Sequence, residues 1–409
     1  LVLVVVLSVQ YAFKAQEDRS AILRWRPQIQ QLSTADIYLL YNFPNPPILP
    51  ILLTPLVGLP PIACSLAWFF IKVAMTIFVF HWFFRIVELP ARPFPNWAKV
   101  LAIALSLRPI MGDLSHGNVN LFILFLVAGA IFAYCRQQDW VSGLLIGLAI
   151  SCKVTPALFL PFFVWKRAWK AVAGCVLGLV LFLIVVPGMI LGMERNWELL
   201  YHWYEGMVRP FIIGGIVTTD HINQSLPGLL HRLLTNSPSF YDKGIPESYS
   251  NLVSLQPRTV SMITKACMAS FAALIVWSCR TPREVRMGWR VSAEFSLVLI
   301  GMLLFSERTW KHHCVTLVLP FTVLVYYLAA CGHSVTRRNY LVASIVMATL
   351  FIESTASVFE NGRVAKLAEA HGAYVWAFLT LAAGIVAILH CPETRVKTDR
   401  ESTPSSIAA

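Results

Sequence analysis

Long stretches without a single Asp, Glu, Lys or Arg set the pattern of the chain. Such stretches enclose 22 residues between Asp113 and Arg136, 23 between Lys170 and Glu194, 25 between Lys311 and Arg337, and 23 between Glu369 and Glu393. As helices, each is long enough to cross about 30 Å of bilayer hydrocarbon. Further spans are predicted at Pro61 to Phe84, around Lys72; at Arg258 to Arg280, around Lys265; at Val291 to Ser306, with Glu294 near its start; at Tyr340 to Glu353; and from Trp97 toward Leu107. Residues 1 to 13 are apolar, with no basic flank and no small-residue cleavage site. They read as the end of a first span whose start is missing. Two apolar pieces are too short to span alone: Trp140 to Cys152 has 13 residues and Val154 to Trp165 has 12. They meet at Lys153, Thr155 and Pro156. Half-length helices meeting at a polar break line a protected cavity, because bare backbone cannot face lipid.

Composition changes this picture only by excluding alternatives. Of 409 residues, 57% are hydrophobic and 13% charged, about half the charge of an ordinary soluble domain. The net charge of +12 is dispersed through an apolar chain, and mean hydropathy is +0.65. A soluble enzyme, a disordered scaffold and a nucleic-acid module are excluded. Alternating the spans gathers residues 85–99, 136–139, 166–170, 280–290, 332–339 and 391–409 on one side, with 16 Lys and Arg against 7 acids if Glu294 is included; the other side has 15 against 14, with Lys72 and Lys265 inside spans. The basic side is expected to be cytoplasmic, with both termini there and about twelve membrane elements between them. The nine cysteines are scattered, mostly in spans, and read as small buried apolar residues.

The candidate chemistry lies on the outward side. The first outer loop, 14–47, carries Glu17 and Asp18, then Ile22, Trp25, Ile29 and Leu32, an apolar stripe for a short interfacial helix that Pro27 kinks or interrupts. Asp36-Ile-Tyr38 and Asn42-Phe-Pro-Asn-Pro-Pro47 follow. Asp18 either caps the loop or serves as a general base for a substrate hydroxyl. Lys153 either snorkels or reaches an anionic headgroup. Arg108 and the turn Asp113-Leu-Ser-His-Gly-Asn-Val-Asn120 form a second polar point, where Gly117 permits a tight turn. His312 and His313 are adjacent, so on a helix they point about 100° apart and do not share a metal; one faces the cavity and the other packs. Asn223-Gln-Ser225 fits a glycosylation sequon but reads better as a loop contact. A long outer loop, 194–258, carries Trp197, Trp203 and Tyr204 and reads as a lid or an interfacial anchor. Lys72 and Lys265 inside spans either snorkel or mark a path, which keeps open a polytopic transporter or lipid-linked-sugar flippase without covalent chemistry.

Taken in order, these residues resemble glycosyltransferase family 87, of the GT-C superfamily of polyprenol-phosphate-sugar-dependent enzymes, whose members include alpha-mannosyltransferases. The resemblance rests on Asp18, Asp-Ile-Tyr before Asn-Pro-Pro47, Gly117-Asn-Val-Asn120, Gly147-Leu-Ala-Ile-Ser-Cys-Lys-Val-Thr-Pro156, Asn223-Gln-Ser-Leu226, and Ser306 followed by Trp310 and His312-His313. It implies an all-α, GT-C-like polytopic bundle over 1–391 with a cytoplasmic polar tail over 392–409. It also implies inverting transfer of a hexosyl or mannosyl unit from a polyprenyl-phosphate donor to a glycan or glycolipid hydroxyl, at the extracytoplasmic face of a plasma-membrane protein. Carried over, Asp18 is the base, with Asp36 and Glu17 in reserve. Lys153, Arg108, His312 and His313 serve the donor phosphate, and Asn118, Asn120, Asn223 and Gln224 contact substrate. No metal, other cofactor or nucleic acid is expected. The sequence departs from the family pattern at Arg19, where an aromatic residue is usual, and at Asn118, where Gln is usual.

Overall fold

The structure is a computed structural model that describes residues 2–17, 20–41, 43–241, 248–356 and 363–391. Asp18, assigned above as base, lies outside the described residues, as do Arg19, Asn42 and the tail 392–409. The described chain is almost wholly helical. It opens with α1 (Val2–Gln16), α2 (Ala21–Gln30), α3 (Ile37–Tyr41) and α4 (Ile48–Val57), followed by α5 (Pro61–Val87), α6 (Asn96–His116) and α7 (Asn120–Cys135). Next, α8 (Asp139–Cys152) leads through a 3-10 turn into α9 (Phe159–Trp165), and α10 (Trp169–Leu179) runs through a π-helical stretch into α11 (Val186–Leu191). The long loop holds α12 (Met193–Trp203), α13 (Arg209–Ile212), α14 (Leu226–Leu234) and an antiparallel ribbon of β1 (Pro238–Phe240) and β2 (Ser248–Tyr249). The chain closes with α15 (Pro257–Ser278), α16 (Trp289–Leu304), a 3-10 turn over Lys311–Leu317, α17 (Val318–Ala330), α18 (Val335–Glu353), α19 (Arg363–Ala370) and α20 (Ala373–Leu389).

Among the described residues, four helical runs are long and apolar enough to cross a membrane: Pro61–Val87, Trp169–Leu191, Pro257–Ser278 and Lys311–Ala330. A fifth counts if the pair Val364–Ala370 and Ala373–Leu389, bent by 59°, is one span. The protein is thus an all-α, polytopic integral membrane protein. The expected count of about twelve elements is not reached by this measure, because helices such as α7 and α16, each of 16 residues, end at about 24 Å.

The core sits where helices are apolar all round. Every residue of α16 from Val291 to Leu304 is buried, as is every residue of α17 from Val318 to Tyr327. At one end of α16, buried Glu294 pairs with Lys166 at 2.5 Å and accepts from the Thr281 amide at 2.7 Å. α8 is fixed against α10 by small residues: Gly143 and Gly147 face Gly174 and Gly178 so closely that backbone meets backbone. This crossing matters because α8 ends on Lys153, whose extended backbone (φ −161°, ψ 128°) breaks the helix before Pro156.

Ser20 caps α2, accepting from the Leu23 amide at 3.4 Å, and Pro27 lies within the helix without ending it. Ile22, Leu23 and Ile29 are buried, so the apolar stripe packs inward. Beyond it, Leu32, Ile37, Tyr38 and Phe43 form a small satellite core with Leu199 of α12, which joins the first loop to the long one.

Candidate active site

The site begins at the turn between α6 and α7. Gly117 ends α6 in the left-handed region (φ 70°), and a Cβ there would stand 2.1 Å from the Tyr11 hydroxyl. Glycine is therefore demanded twice, by conformation and by the approach of α1. Trp68 of α5 donates to the Gly117 carbonyl at 2.9 Å, and Lys14 of α1 reaches the Ser115 carbonyl at 3.4 Å. Four helices thus converge on one turn.

Inside the turn lies a buried charge pair. Lys72 and Asp113 are both 0% exposed, and Lys72 Nζ is 3.3 Å from Asp113 Oδ2. The ammonium also donates to the carbonyls of Asp113 (2.8 Å) and Asn118 (3.1 Å). Lys72 therefore neither snorkels nor opens a path: it neutralises a carboxylate inside the bundle. The Asp113 carboxylate accepts from the amides of Asn120 and Leu121, each at 3.3 Å, and from Asn120 Nδ2 at 2.9 Å. Asn120 Oδ1 in turn accepts from Lys153 Nζ at 2.6 Å.

Lys153 and Asn120 line a cleft with His313, Thr155, Ser306, Thr309 and Thr316, closed behind by Ile123, Met302, Leu303 and Val315. Its volume is about 20 Å³, room for one water molecule. His313 Nδ1 accepts from the Trp310 amide at 3.2 Å, so the neutral imidazole carries its proton on Nε2. His312 turns away from the cleft: its Nε2 is 3.0 Å from Asn118 Nδ2 and its ring stacks on His116 at 5.0 Å. The Ser306 and Thr309 hydroxyls donate to the carbonyls of Arg308 and Leu303, which leaves an ammonium, an imidazole and the Thr155 and Thr316 hydroxyls as the polar lining, a set that suits an oxyanion.

Other residues singled out in the sequence stand elsewhere. Arg108 fastens α6 to the end of α18, pairing with Glu353 at 3.0 Å and donating to the Ile352 carbonyl and to Thr355 Oγ1 at 3.1 Å; it does not line the Lys153 cleft. Asn223 and Gln224 are fully buried and bonded to the protein itself. Asn223 Nδ2 donates to the carbonyls of Thr218 and Glu307, and its Oδ1 accepts from the amides of Ser225 and Thr309. Gln224 donates to the carbonyls of His221 and Glu369 and accepts from the Tyr374 amide. They brace the Thr309 wall of the cleft from behind, and Asn223 is no accessible sequon. Glu17 lies in the turn directly after α1.

Sequence reasoning missed three features. Arg232, fully buried in α14, donates to the carbonyls of Ala370, Thr219, Asp220, Asn223 and Glu369. Burial pulls its guanidinium down to about 10, against Asp220 and Glu369, so it remains cationic at neutral pH. Asp36 bonds His202 through Oδ2 and the amides of Tyr38 and Leu39 through Oδ1. Burial raises its carboxyl, but these bonds outweigh burial and hold it below the usual value. With Glu198, the ligand atoms of Asp36 and His202 fall within 4.8 Å of one another, a set able to hold a metal; Glu198 and His202 share a face of α12 by their four-residue spacing. The third is the pairing of Lys72 with Asp113. The cysteines are all free among the described residues, and seven of the nine are buried.

Comparison with known proteins points to one family. The model of glycosyltransferase family 87 matches residues 43–307. A polyprenol-phosphate-mannose-dependent alpha-(1-2)-phosphatidylinositol mannoside mannosyltransferase of Mycobacterium tuberculosis is 26% identical over 267 residues, 64% of this chain and 54% of the relative. The enzyme of the same description from Mycolicibacterium smegmatis is 28% identical over 288 residues, 68% of this chain and 58% of the relative. An alpha-(1->3)-arabinofuranosyltransferase of Corynebacterium glutamicum is 28% identical over 135 residues, 32% of this chain and 29% of the relative. The chain thus spans little more than half the length of the mannosyltransferases it matches. No solved structure matches it. The family match covers about two thirds of the chain and takes in the turn at Gly117, the Lys153 break and the Ser306 side of the cleft, so the chain belongs to glycosyltransferase family 87.

Proposed function

We propose that the protein is a membrane glycosyltransferase that moves a hexosyl unit of mannosyl type from a polyprenyl-phosphate donor to a hydroxyl of a glycan or glycolipid acceptor, with inversion at the anomeric carbon. The observation that carries this reading is the polar cleft at a helix break in a chain of this family: Lys153, the His313 imidazole and the Thr155 and Thr316 hydroxyls suit a phosphate diester that becomes a monoester as the sugar departs. A lipid phosphate is already a good leaving group. The protein's task is to offset its growing charge and to remove the acceptor's proton.

Asp18 takes the proton in this scheme, on family resemblance. Of the reserves, Asp36 has both oxygens engaged, by His202 and by the Tyr38 and Leu39 amides, and Glu17 follows α1 directly. The active face is taken as extracytoplasmic, because the alternation of spans groups 16 basic against 7 acidic residues, Glu294 included, on the other side. The lipid tail enters sideways between spans near the Lys153 break. Two variants assayed in membranes with a labelled polyprenyl-phosphate hexose test the reading. Asp18→Asn is expected to abolish transfer while donor binding persists, and Lys153→Met to weaken donor binding. Unchanged turnover in Asp18→Asn removes that residue from the mechanism.

A further inference from the structure

The cations near the cleft end of the bundle differ in what they are bonded to. Arg108 is paired with Glu353 and Lys311 with Glu369. Lys153, among the described residues, forms no ion pair; its ammonium donates to the neutral amide of Asn120 at 2.6 Å. The nearby carboxylate, Asp113, is one residue removed: it holds the other end of that amide and is itself paired with Lys72.

The order of atoms in this chain is fixed by valence. A carboxylate only accepts and an ammonium only donates. Asn120 must therefore turn Nδ2 toward Asp113 and Oδ1 toward Lys153, and no flip of the amide satisfies both neighbours. Asp113 is held just as firmly. It accepts from the amides of Asn120 and Leu121, the first turn of α7, where the N-cap residue Val119 supplies no side-chain cap. A side chain from α6 thus caps α7, and the positive end of the helix dipole favours its negative charge. Lys72 offsets that charge, so the buried pair is neutral overall and leaves the ammonium of Lys153 without a carboxylate to quench it.

We propose that Asp113 is a positioning residue for the donor-phosphate cation: acting through Asn120, it aims the Lys153 ammonium into the cleft while Lys72 keeps the arrangement electrically neutral. This deepens the proposed function and rests on Lys153 meeting the donor phosphate. Asp113 touches no substrate in this role; it sets the direction of a group that does.

The test uses the full-length protein in membranes and separates donor KM from kcat. Replacing the buried pair by apolar residues, in the double variant Lys72→Met/Asp113→Leu, avoids leaving one charge alone and takes away the acceptor for Asn120 Nδ2. Donor KM is expected to rise about tenfold, the loss of one oriented charge-assisted hydrogen bond, with acceptor KM unchanged. Lys72→Met/Asp113→Asn should recover most of that loss, because the carboxamide oxygen again accepts from Asn120. Adding Lys153→Met to Lys72→Met/Asp113→Leu should raise donor KM no further than Lys153→Met does alone. Should Lys72→Met/Asp113→Leu not fold, Asn120→Ala takes its place, with the same rise and the same lack of additivity expected. If Lys153→Met leaves donor KM unchanged, the phosphate reading of Lys153 is what fails. If Lys153→Met raises it but the two effects multiply, or the carboxamide gives no recovery, the positioning role of Asp113 is overturned and the phosphate reading stands.

Discussion

Lys153 can face the cleft only if α8 lies where it does, and that position depends on four glycines. A Cβ built on Gly143 would stand 2.2 Å from the Ala171 carbonyl oxygen and 2.6 Å from the Cys175 nitrogen; one on Gly147 would stand 2.8 Å from the Cys175 carbonyl oxygen. These neighbours are backbone atoms, so no side-chain rotation relieves the contact. Gly143→Ala must push α8 and α10 apart by roughly 1 Å to restore ordinary van der Waals distance. The helices then lose close packing along the Gly143, Gly147, Gly174 and Gly178 seam, where proximity and not hydrophobicity drives association. Overpacking of this kind costs about 1–3 kcal/mol. The upper half of that range is expected here, because the obstruction is rigid on both sides. Thermal unfolding of the detergent-solubilised protein reads the stability, and donor KM reads the displacement of Lys153. Gly143→Ala should lower the midpoint by several degrees and raise donor KM, whereas Ser142→Ala on the same turn should do much less. An unchanged midpoint and donor KM for Gly143→Ala would refute the close crossing and its part in setting the site.

Three further outcomes follow from particular contacts. Gly117→Ala meets both a left-handed φ and the Tyr11 hydroxyl, so it should destabilise by about 2 kcal/mol, while Gly117→Ala with Tyr11→Phe should recover part of the loss in the same melt; no recovery would argue against the α1 contact. Arg232→Met removes five carbonyl contacts, three from α14 to Thr219, Asp220 and Asn223 and two to the 369–370 segment, so limited proteolysis should cut within 194–258 faster while the spanning helices stay protected; equal cleavage would contradict the tether. Asp36, held below its usual pKa in the folded protein, adds stability at pH above the unfolded value of about 3.9 and loses it as pH falls through the folded value. The packing of Ile37, Tyr38 and Phe43 on Leu199 of α12 should therefore persist at pH 5 and weaken below about pH 4, seen in the fluorescence of Trp25 and Trp203; an identical acid transition in Asp36→Asn would rule out this linkage.

What could be read from the sequence was what depends on neighbours along the chain. The pieces ending at Cys152 and Trp165 were each too short to span, and the helix does break at Lys153. The adjacent histidines had to diverge, and His313 lines the cleft while His312 packs on His116. What depends on distant partners was hidden. Lys72 and Asp113 are 41 residues apart, and a lysine in an apolar span looks the same whether it snorkels or meets a buried acid. Arg108 pairs with Glu353, 245 residues later, a partner that no local spacing reveals. Asn223 and Gln224 carry the composition of a binding motif, but their amides are used by backbone groups of the 306–309 segment and the start of α20. The four-residue spacing of Gly143 with Gly147 and of Gly174 with Gly178 was a signal available in the sequence for the α8 and α10 crossing, and Arg232 left none.

Covalent transfer of the sugar separates a glycosyltransferase from a flippase. The most direct measurement reconstitutes the full-length protein in vesicles with a polyprenyl-phosphate hexose labelled in the sugar, adds a glycolipid acceptor, and follows the label and its anomeric configuration. Label should appear in a new glycosidic bond of inverted configuration, with polyprenyl phosphate released. Label that crosses the bilayer still attached to polyprenyl phosphate, with no glycosylated acceptor formed, would contradict covalent transfer.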